Sequence, residues 1–223
     1  MRLVNTYYNI EMNIVENQVI VLSIENQTAY ANVVGDLWRQ VQGEEGSFVL
    51  SENDKIKNLS KEMEVIFNPF SLDCNSKKII SRLYQEMKAQ SDNILQEETA
   101  ELNGIIMRFL DKVIMTVPYA VKYNCDMDIL NVFKMYDVEI DIQTETLLES
   151  IIEYIKTVSG ICQIDTFVFI DLKRYLTTEE LKQLYEFAFY NKINILIIEP
   201  VHSEECVGEK CWILDKDLCI IEL

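Results

Sequence analysis

Two apolar runs flank a capped amphipathic helix between residues 166 and 200, and this arrangement restricts the possible fold more than any other feature of the sequence. The first run, "TFVFIDL", contains Asp171 near its end, and the second run reads "INILIIEP". Between them, Thr177 and Glu180 have the spacing of a capping box, which predicts a helix over Thr178–Tyr190. A strand, a helix and a strand in this order indicate an α/β fold whose sheet is largely parallel.

The rest of the chain adds further strands and helices to this pattern. Apolar runs predict strands at "NTYYNIEM", "QVIVLSI" and "MEVIFNPF", and a closing hairpin at "WILDKDLCIIEL". A helix over "TAYANVVGDLWRQVQG" is expected to end at Gly43, and a helix over "TLLESIIEYIKTVSG" to begin at a capping box of Thr146 and Glu149. "ILNVFKMYDVEIDIQ" is interpreted as a helix followed by a strand.

Two long amphipathic helices in the middle of the chain have no strand between them. The first begins after Asn75 or Ser76, either of which can cap it. The second runs from about Leu95 to Val117, before the break at Pro118. Its predicted inner side consists of Leu102, Ile105, Ile106, Phe109, Leu110, Val113 and Ile114. The pair predicts a helical hairpin that projects from the rest of the molecule.

Composition restricts the compartment and the partners. The 223 residues are 49% hydrophobic, which is enough for an ordered core, and no apolar segment approaches the length of a membrane span. We expect a soluble protein that stays inside the cell with its six cysteines reduced. The net charge of -17 argues against nonspecific binding to nucleic acid or anionic membranes, although a local group of lysines can still bind DNA phosphates.

Asp171, at the end of an apolar strand, has the position of the acidic residue that orders Mg²⁺ in P-loop NTPases. That chemistry also needs a glycine-rich loop, G-x-x-x-x-G-K-[ST], whose backbone amides surround the phosphates. None of the six glycines precedes such a pair, and the turn after the first buried strand, "SIENQTAYANV", contains no glycine. We therefore interpret Asp171 as a strand-end residue that binds amides of the following turn, and we expect no nucleotide to bind.

No other catalytic group is recognisable, so the sequence predicts that the protein is not an enzyme. His202 is the only histidine and lies in a polar loop without a serine elbow or an ordered base. As a metal site, His202, Cys206 and Cys211 lack a fourth soft ligand and paired short spacings, which favours structural thiols over zinc.

Four segments in collinear order resemble the Csn family, the small accessory proteins of type II-A CRISPR loci that take part in acquiring new spacers. They cover most of the chain and read "FNPFSLDCNSKKIISRLYQEM", "DVEIDIQTETLLESIIEYI", "FVFIDLKRYLTTEELKQLYEFAFYNKINILIIEP" and "WILDKDLCIIEL". The resemblance implies an α/β head related to P-loop NTPases but lacking the phosphate loop, with a helical leg inserted between its strands. We place the head at residues 1–75 and 137–223 and the leg at residues 76–136.

The resemblance also implies a function. Members of the family are non-catalytic proteins of the prokaryotic cytoplasm that form a homotetrameric ring around double-stranded DNA and bind free DNA ends. They act in spacer acquisition, beside the CRISPR integrase complex and the RNA-guided nuclease. Two alternatives remain open: a nucleotide-dependent phosphotransferase with an atypical phosphate loop, favoured by the "FVFID" strand, and a scaffold that oligomerises without binding nucleic acid.

A ring around DNA needs cations in its hole, and the basic residues near the start of the leg are the candidates. They are Lys77, Lys78, Arg82 and Lys88 on the first leg helix, and Lys55, Lys57 and Lys61 in the loop before it. For any single lysine the alternative is an ordinary solvated helix surface. Nothing resembles a recognition helix or a zinc finger, so we expect no readout of base sequence.

The resemblance implies calcium as a further cofactor, because calcium ions stabilise the ring in this family. Here the acidic run is short, with only Asp126 and Asp128 in "YNCDMD". Calcium takes about six to eight oxygen ligands, so a site would also need Asp137, Glu139 and Asp141, or carboxylates of a neighbouring chain. A solvated acidic turn is the alternative.

Overall fold

The structure, a computed structural model, describes all residues from 1 to 223 and divides into two compact units. The sheet unit comprises Met1–Asp73 and Ile142–Leu223, and the helical unit comprises Cys74–Asp141. The predicted leg spans residues 76–136, whereas the helical unit begins two residues earlier and ends five residues later. No helix combines the length and the hydropathy that crossing a membrane requires.

Strands and helices are interspersed along the chain. The strands are β1 (Arg2–Asn5), β2 (Ile10–Asn13), β3 (Val19–Ile24), β4 (Phe48–Glu52), β5 (Lys55–Lys57), β6 (Met63–Ile66), β7 (Thr166–Ile170), β8 (Asn194–Glu199), β9 (Glu209–Leu214) and β10 (Ile220–Glu222). The α-helices are α1 (Gln27–Val41), α2 (Leu59–Glu62), α3 (Lys77–Ile94), α4 (Gln96–Ile114), α5 (Ile129–Met135), α6 (Leu147–Thr157) and α7 (Thr178–Tyr190).

The main sheet has six strands in the order β10-β9-β3-β8-β7-β6. All neighbours pair in parallel except β10, which pairs antiparallel with β9 as the closing hairpin. Every residue of β3 and β7 is buried, which is typical of parallel strands that are covered on both faces. The predicted α/β fold with a largely parallel sheet is confirmed.

The register of the parallel strands brings their carboxyl ends to one edge of the sheet. Ile170 of β7 lies opposite Ile198 of β8, and Ser23 of β3 lies opposite Glu199 of β8. Asp171 and Glu199 therefore end neighbouring strands at the same edge, which is where open α/β sheets place their ligands.

A second sheet of four antiparallel strands, in the order β2-β1-β4-β5, corrects two predictions. The predicted strand "NTYYNIEM" contains a turn, because the Asn5 side chain accepts hydrogen bonds from the amides of Tyr7 and Tyr8 and Asn9 has a φ of 54°. The predicted loop before the leg is a β4–β5 hairpin followed by α2. Its turn residues, Asn53 and Asp54, both have positive φ, as a tight hairpin requires.

In the sheet unit, the sequence signals for helix starts and ends correctly predict α1, α6 and α7. The capping boxes at Thr146 and Glu149 and at Thr177 and Glu180 are both formed and begin α6 and α7, as predicted. Helix α1 ends just before Gly43, whose φ of 92° favours glycine. These signals depend on residues within one turn of each other, so they need no tertiary contact.

The helical unit consists of the α3–α4 hairpin and α5. Leu95 alone separates α3 from α4, and the hydroxyls of Ser91 and Thr99 are 2.8 Å apart across the junction. Ser76 precedes α3 as predicted but makes no cap hydrogen bond through its side chain. Asn75 instead bonds the Ile140 backbone, accepting from its amide at 2.8 Å and donating to its carbonyl at 3.1 Å.

Two further predictions about this region are wrong. The segment after α5 forms no strand, since the Asn75 side chain occupies the peptide groups of Ile140. Helix α4 has no buried residue, and Phe109, on its predicted inner side, is 64% exposed. A small hairpin covers little of each helix, so the apolar stripe of α4 stays accessible to solvent in the single chain.

Candidate nucleic-acid interface

The beginning of α3 is the most basic part of the helical unit. Residues 77–88 contain Lys77, Lys78, Arg82 and Lys88 against a single acid, Glu86. Because the buried residues of this stretch are Ile79 and Tyr84, the helical period places the four cations away from the buried side. The structure therefore presents the cations of α3 on one broad exposed face.

The acidic charge of the protein is unevenly distributed. The helical unit contains eight Lys and Arg and eleven Asp and Glu, whereas the sheet unit contains twelve and 26. Most of the net charge of -17 thus belongs to the sheet unit. A basic helix in the less acidic unit experiences less competition from carboxylates of its own unit.

Intramolecular ion pairs distinguish the predicted DNA-binding residues from one another. The Lys57 ammonium lies 3.2 Å from Glu52 and 3.8 Å from Glu62, and the hydrogen bond to Glu52 raises the pKa of Lys57. The Lys88 ammonium lies 3.2 Å from Asp92, one turn further along α3. Both cations are therefore already partly neutralised.

Four of the predicted residues, Lys55, Lys61, Lys77 and Arg82, take part in none of the ion pairs of the structure. Lys55 lies in β5 and Lys61 in α2, so both belong to the sheet unit, while Lys77 and Arg82 lie on α3. Lys78 is exposed one turn before Arg82. The seven candidates therefore form two groups, one in each unit.

A cleft between α3 and α5 contains a cation that the sequence did not reveal. The cleft has a volume of about 440 Å³, and Lys77 and Lys134 both line it. Lys134 lies in the last turn of α5 and forms no ion pair. A lone lysine in "NVFKMYD" carries no local signal of binding, and only the packing of α5 on α3 brings it to Lys77.

The predicted calcium ligands do not come together within one chain. The Asp128 side chain accepts the amide of Leu130 and caps α5, and the backbone amide of Asp126 donates to Asn124. No group of three or more His, Cys, Asp or Glu side chains is close enough to hold a metal ion, and this covers Asp137, Glu139 and Asp141 as well as His202 with its two cysteines.

Cys206 and Cys211 have the character of structural thiols. Both are free, and burial raises the pKa of each thiol, that of Cys211 to about 11. The nearby carboxylate of Glu209 raises both pKa values further. Neither thiol is activated as a nucleophile.

Asp171 does not make the hydrogen bonds to the following turn that the sequence predicted. Its side chain makes no cap hydrogen bond to the following turn and lies 3.6 Å from the Arg174 guanidinium. The amide of Lys173 donates instead to Glu199, at 2.8 Å. The prediction that Asp171 binds the turn amides is therefore wrong, because a residue from the neighbouring strand already accepts one of them.

The turn after β3 is too short to surround a phosphate. Only Glu25 and Asn26 separate β3 from α1, and the Asn26 side chain accepts the amide of Ala29 as the helix cap. The amide group of Asn26 also donates to the carbonyl of Lys216. Asn26 is thus occupied in starting the helix at the position where a P-loop protein would bind phosphate.

A buried ionic network is centred on Glu209, the first residue of β9. Glu209 receives the Lys173 ammonium at 2.9 Å, the Tyr185 hydroxyl at 2.6 Å and the amide of Cys206 at 2.9 Å. The side chains of Lys173 and Glu209 are 8% and 0% exposed. The bonds from Lys173 and Tyr185 attach the start of β9 to the segment after β7 and to α7, and the bond from Cys206 is local to the residues just before β9.

Comparison with known proteins identifies the family. A model of the family described as CRISPR-associated protein (Cas_Csn2) matches residues 40–218. The CRISPR-associated protein Csn2 of Streptococcus agalactiae is 22% identical over 219 residues, covering 93% of this chain and 92% of that protein. The CRISPR-associated protein Csn2 of Enterococcus faecalis is 20% identical over 144 residues, covering 62% and 64%.

Solved structures also match this chain. The crystal structure of Stu0660 of Streptococcus thermophilus matches with a TM-score of 0.61 at 13% identity, covering 100% of this chain and 76% of that one. The ADP conformation of MJ1267, an ATP-binding cassette of an ABC transporter, matches with a TM-score of 0.46 at 11% identity, covering 95% and 85%. Since the family model spans most of the sequence, the chain belongs to the Cas_Csn2 family of CRISPR-associated proteins, as its resemblance to the Csn proteins of type II-A loci predicted.

Proposed function

We propose that this chain is a non-catalytic protein that binds the free ends of double-stranded DNA as a homotetrameric ring. It acts in spacer acquisition by a type II-A CRISPR system, and so in antiviral defence, beside the integrase complex and the RNA-guided nuclease. The observation that carries the proposal is the basic face of α3, with four cations and one acid in twelve residues of an otherwise acidic protein.

Phosphate neutralisation accounts for DNA binding by a protein of this net charge. Binding depends on how many cations reach the phosphates and on the counterions that they displace. In a closed symmetric assembly each cation of α3 is repeated in every copy, so a few residues produce a continuous basic lining. Such interactions follow the backbone and do not read the bases.

The apolar stripe of α4 supports the assembly part of the proposal. Ile105 is 49% exposed and Phe109 is 64% exposed, on a helix that has no buried residue. Contiguous exposed apolar patches mark sites of interaction with other molecules. Packing between copies would bury the stripe, and calcium bound by carboxylates of two chains would add to the same assembly.

The turn between β3 and α1 supports the non-catalytic part. The phosphotransferase alternative requires backbone amides that converge on a triphosphate, and Asn26 is already the cap of α1. Asp171 is paired with Arg174 and lies beside no phosphate loop.

The experiment compares linear duplex DNA with a closed circle of the same sequence in a gel-shift assay. A ring has to be threaded from an end, so the linear duplex should bind more tightly. Replacing Lys78 and Arg82 with Gln should weaken binding and lower the dependence of log K on log[salt] by about 0.9 for each phosphate that the variant no longer neutralises. Replacing Lys112 and Lys122 with Gln removes the same charge from the same unit and serves as the control.

Two results would contradict the proposal. Equal affinity for the circle and the linear duplex would exclude threading. An unchanged salt dependence in the Lys78 and Arg82 variant would exclude the basic face of α3 as the surface that binds DNA.

A further inference from the structure

The cleft between α3 and α5 lies within the helical unit and is open to solvent. Its volume is about 440 Å³. Its polar lining comes from both helices and the residues that follow α5, and consists of Lys77, Ser81, Gln85, Lys134 and Asp137.

Packing of Tyr84 determines the shape of the cleft. Tyr84 is buried, its hydroxyl donates to the carbonyl of Val138 at 2.9 Å, and its ring lies 5.8 Å from the ring of Phe133. These interactions hold α5 and the segment after it against α3. Since Lys77, Ser81 and Gln85 are spaced by four residues, they follow one line along α3 beside the cleft.

The charges of the cleft lining are unusual for this protein. At least nine other lysines and arginines form ion pairs with carboxylates, yet Lys77 and Lys134 form none. Acidic residues outnumber basic ones by 37 to 20, so a carboxylate partner would be easy to find on a random surface. Two ammonium groups that share a cleft repel each other, and an anion bound between them would remove that repulsion.

We propose that this cleft binds a phosphodiester group of the DNA backbone, an inference that rests on the proposed function. Lys77 and Lys134 supply the two cations, and the Ser81 hydroxyl and the Gln85 amide supply neutral hydrogen-bond donors. With the carboxylate of Asp137, the lining carries one net positive charge, which matches a phosphodiester better than a doubly charged phosphate at a DNA end.

The start of α3 adds to this preference for an anion. The helix is 18 residues long, its first turn contains no acidic residue, and no side chain caps it. The positive end of the helix dipole therefore lies at Lys77, which lines the cleft. Lys77 contributes its charge and belongs to the first turn at the same time.

The test measures binding of a fluorescent linear duplex to the full chain by anisotropy, between about 50 mM and about 200 mM salt. The Lys77→Gln, Lys134→Gln double variant should bind more weakly. Between these two salt concentrations the Kd of the wild type increases by a certain factor. For each phosphate that the variant no longer neutralises, that factor should be smaller by about 3.5-fold. The Lys77→Arg, Lys134→Arg variant keeps both charges and should retain binding, and the Lys112→Gln, Lys122→Gln variant controls for net charge.

The same measurements with 5′-phosphorylated and 5′-hydroxyl duplexes show whether the cleft binds a backbone phosphodiester or the terminal phosphate of a DNA end. The double Gln variant should bind more weakly by the same factor with both duplexes, because an internal phosphodiester is present in each. A weakening confined to the phosphorylated duplex would overturn the assignment to the backbone.

Failure of the cleft and failure of the proposed function give different results. If the wild-type protein binds linear duplex but the double Gln variant keeps its Kd and its salt dependence, the cleft inference is overturned and the proposed function stands. If the wild-type protein does not bind duplex at any salt, the proposed function fails. NMR titration with dimethyl phosphate, a singly charged phosphodiester, then decides the cleft: shifts at Ser81 and Gln85 that disappear in the Lys77→Gln, Lys134→Gln variant support it, and their absence overturns it.

Discussion

Replacing Glu199 with glutamine should remove a pH-dependent loss of stability from the sheet unit. Glu199 ends β8, is 5% exposed, and accepts the amide of Lys173 at 2.8 Å. Burial raises its pKa from 4.5 to about 7, the bond from Lys173 opposes this shift, and the negative charge of Asp171 adds to it. Glutamine keeps an acceptor oxygen for the amide of Lys173 and carries no charge.

The size and sign of the effect follow from linkage between protonation and folding. Because the pKa of Glu199 is higher in the folded protein than in the unfolded chain, its protonation contributes stability that is complete below about pH 4.5 and is lost as the pH rises through about 7. At about 1.36 kcal/mol per unit, the full contribution is about 3.4 kcal/mol, of which about 2.5 kcal/mol disappears between about pH 5 and about pH 8.

Urea unfolding followed by tryptophan fluorescence measures this change. Both tryptophans, Trp38 and Trp212, belong to the sheet unit, so their signal reports the unit that contains Glu199. The unfolding free energy of Glu199→Gln minus that of the wild type should increase by about 2.5 kcal/mol from about pH 5 to about pH 8. Glu204→Gln removes an exposed carboxylate from the segment after β8 and should change the free energy by less than about 0.5 kcal/mol.

A difference between variant and wild type that stays constant over this pH range would refute the reasoning. It would mean that Glu199 binds its proton equally well in the folded and the unfolded states. Lower stability of the variant at the alkaline end of the range would show that the charged acceptor contributes more to the Lys173 hydrogen bond than burial costs.

Three further results are expected. Lys173→Met should destabilise the protein by about 3–5 kcal/mol in urea unfolding, because it leaves the buried Glu209 without its ammonium. Adding Glu209→Gln, which removes the unpaired charge and keeps an acceptor oxygen for Tyr185, should restore most of the stability, and a single-variant cost below about 1 kcal/mol would be inconsistent with a buried pair. Calorimetric titration with ATP and Mg²⁺ at about millimolar levels should give no binding heat, because the turn before α1 contains no phosphate loop. Binding heat that Asp171→Ala abolishes would show a nucleotide site. The Ile105→Glu, Phe109→Glu variant should lower the mass measured by light scattering towards that of a monomer, and an unchanged mass would remove the α4 stripe from the interface.

The sequence alone determined the elements that depend on neighbouring residues. Apolar runs of five or six residues became β3, β7 and β8, and the boxes at Thr146 and Thr177 began their helices. Strand length, β-branched composition and capping distance all act within a few residues of the chain, so each can be recognised without knowing what the element packs against.

Tertiary structure decided which residue satisfies a given polar group. Asp171 stands next to the turn amides in sequence, but Glu199 reaches one of them from the neighbouring strand. Asn75 stands at the start of α3, yet its side chain bonds Ile140, 65 residues away. Local reasoning assigns a hydrogen bond to the nearest candidate, whereas the folded chain assigns it to whichever group the sheet or the helix packing brings into range.

In the candidate site, too, some features could be predicted from the sequence and others depended on the tertiary structure. The basic face of α3 was readable because its cations repeat within a single helix, and periodicity needs only one element. The pairing of Lys77 with Lys134 across the cleft was not readable, because it depends on how Tyr84 holds α5 against α3. Hydrophobic pattern specifies which face of a helix is buried, but only the packed structure determines which two faces meet, and therefore which charges share a cleft.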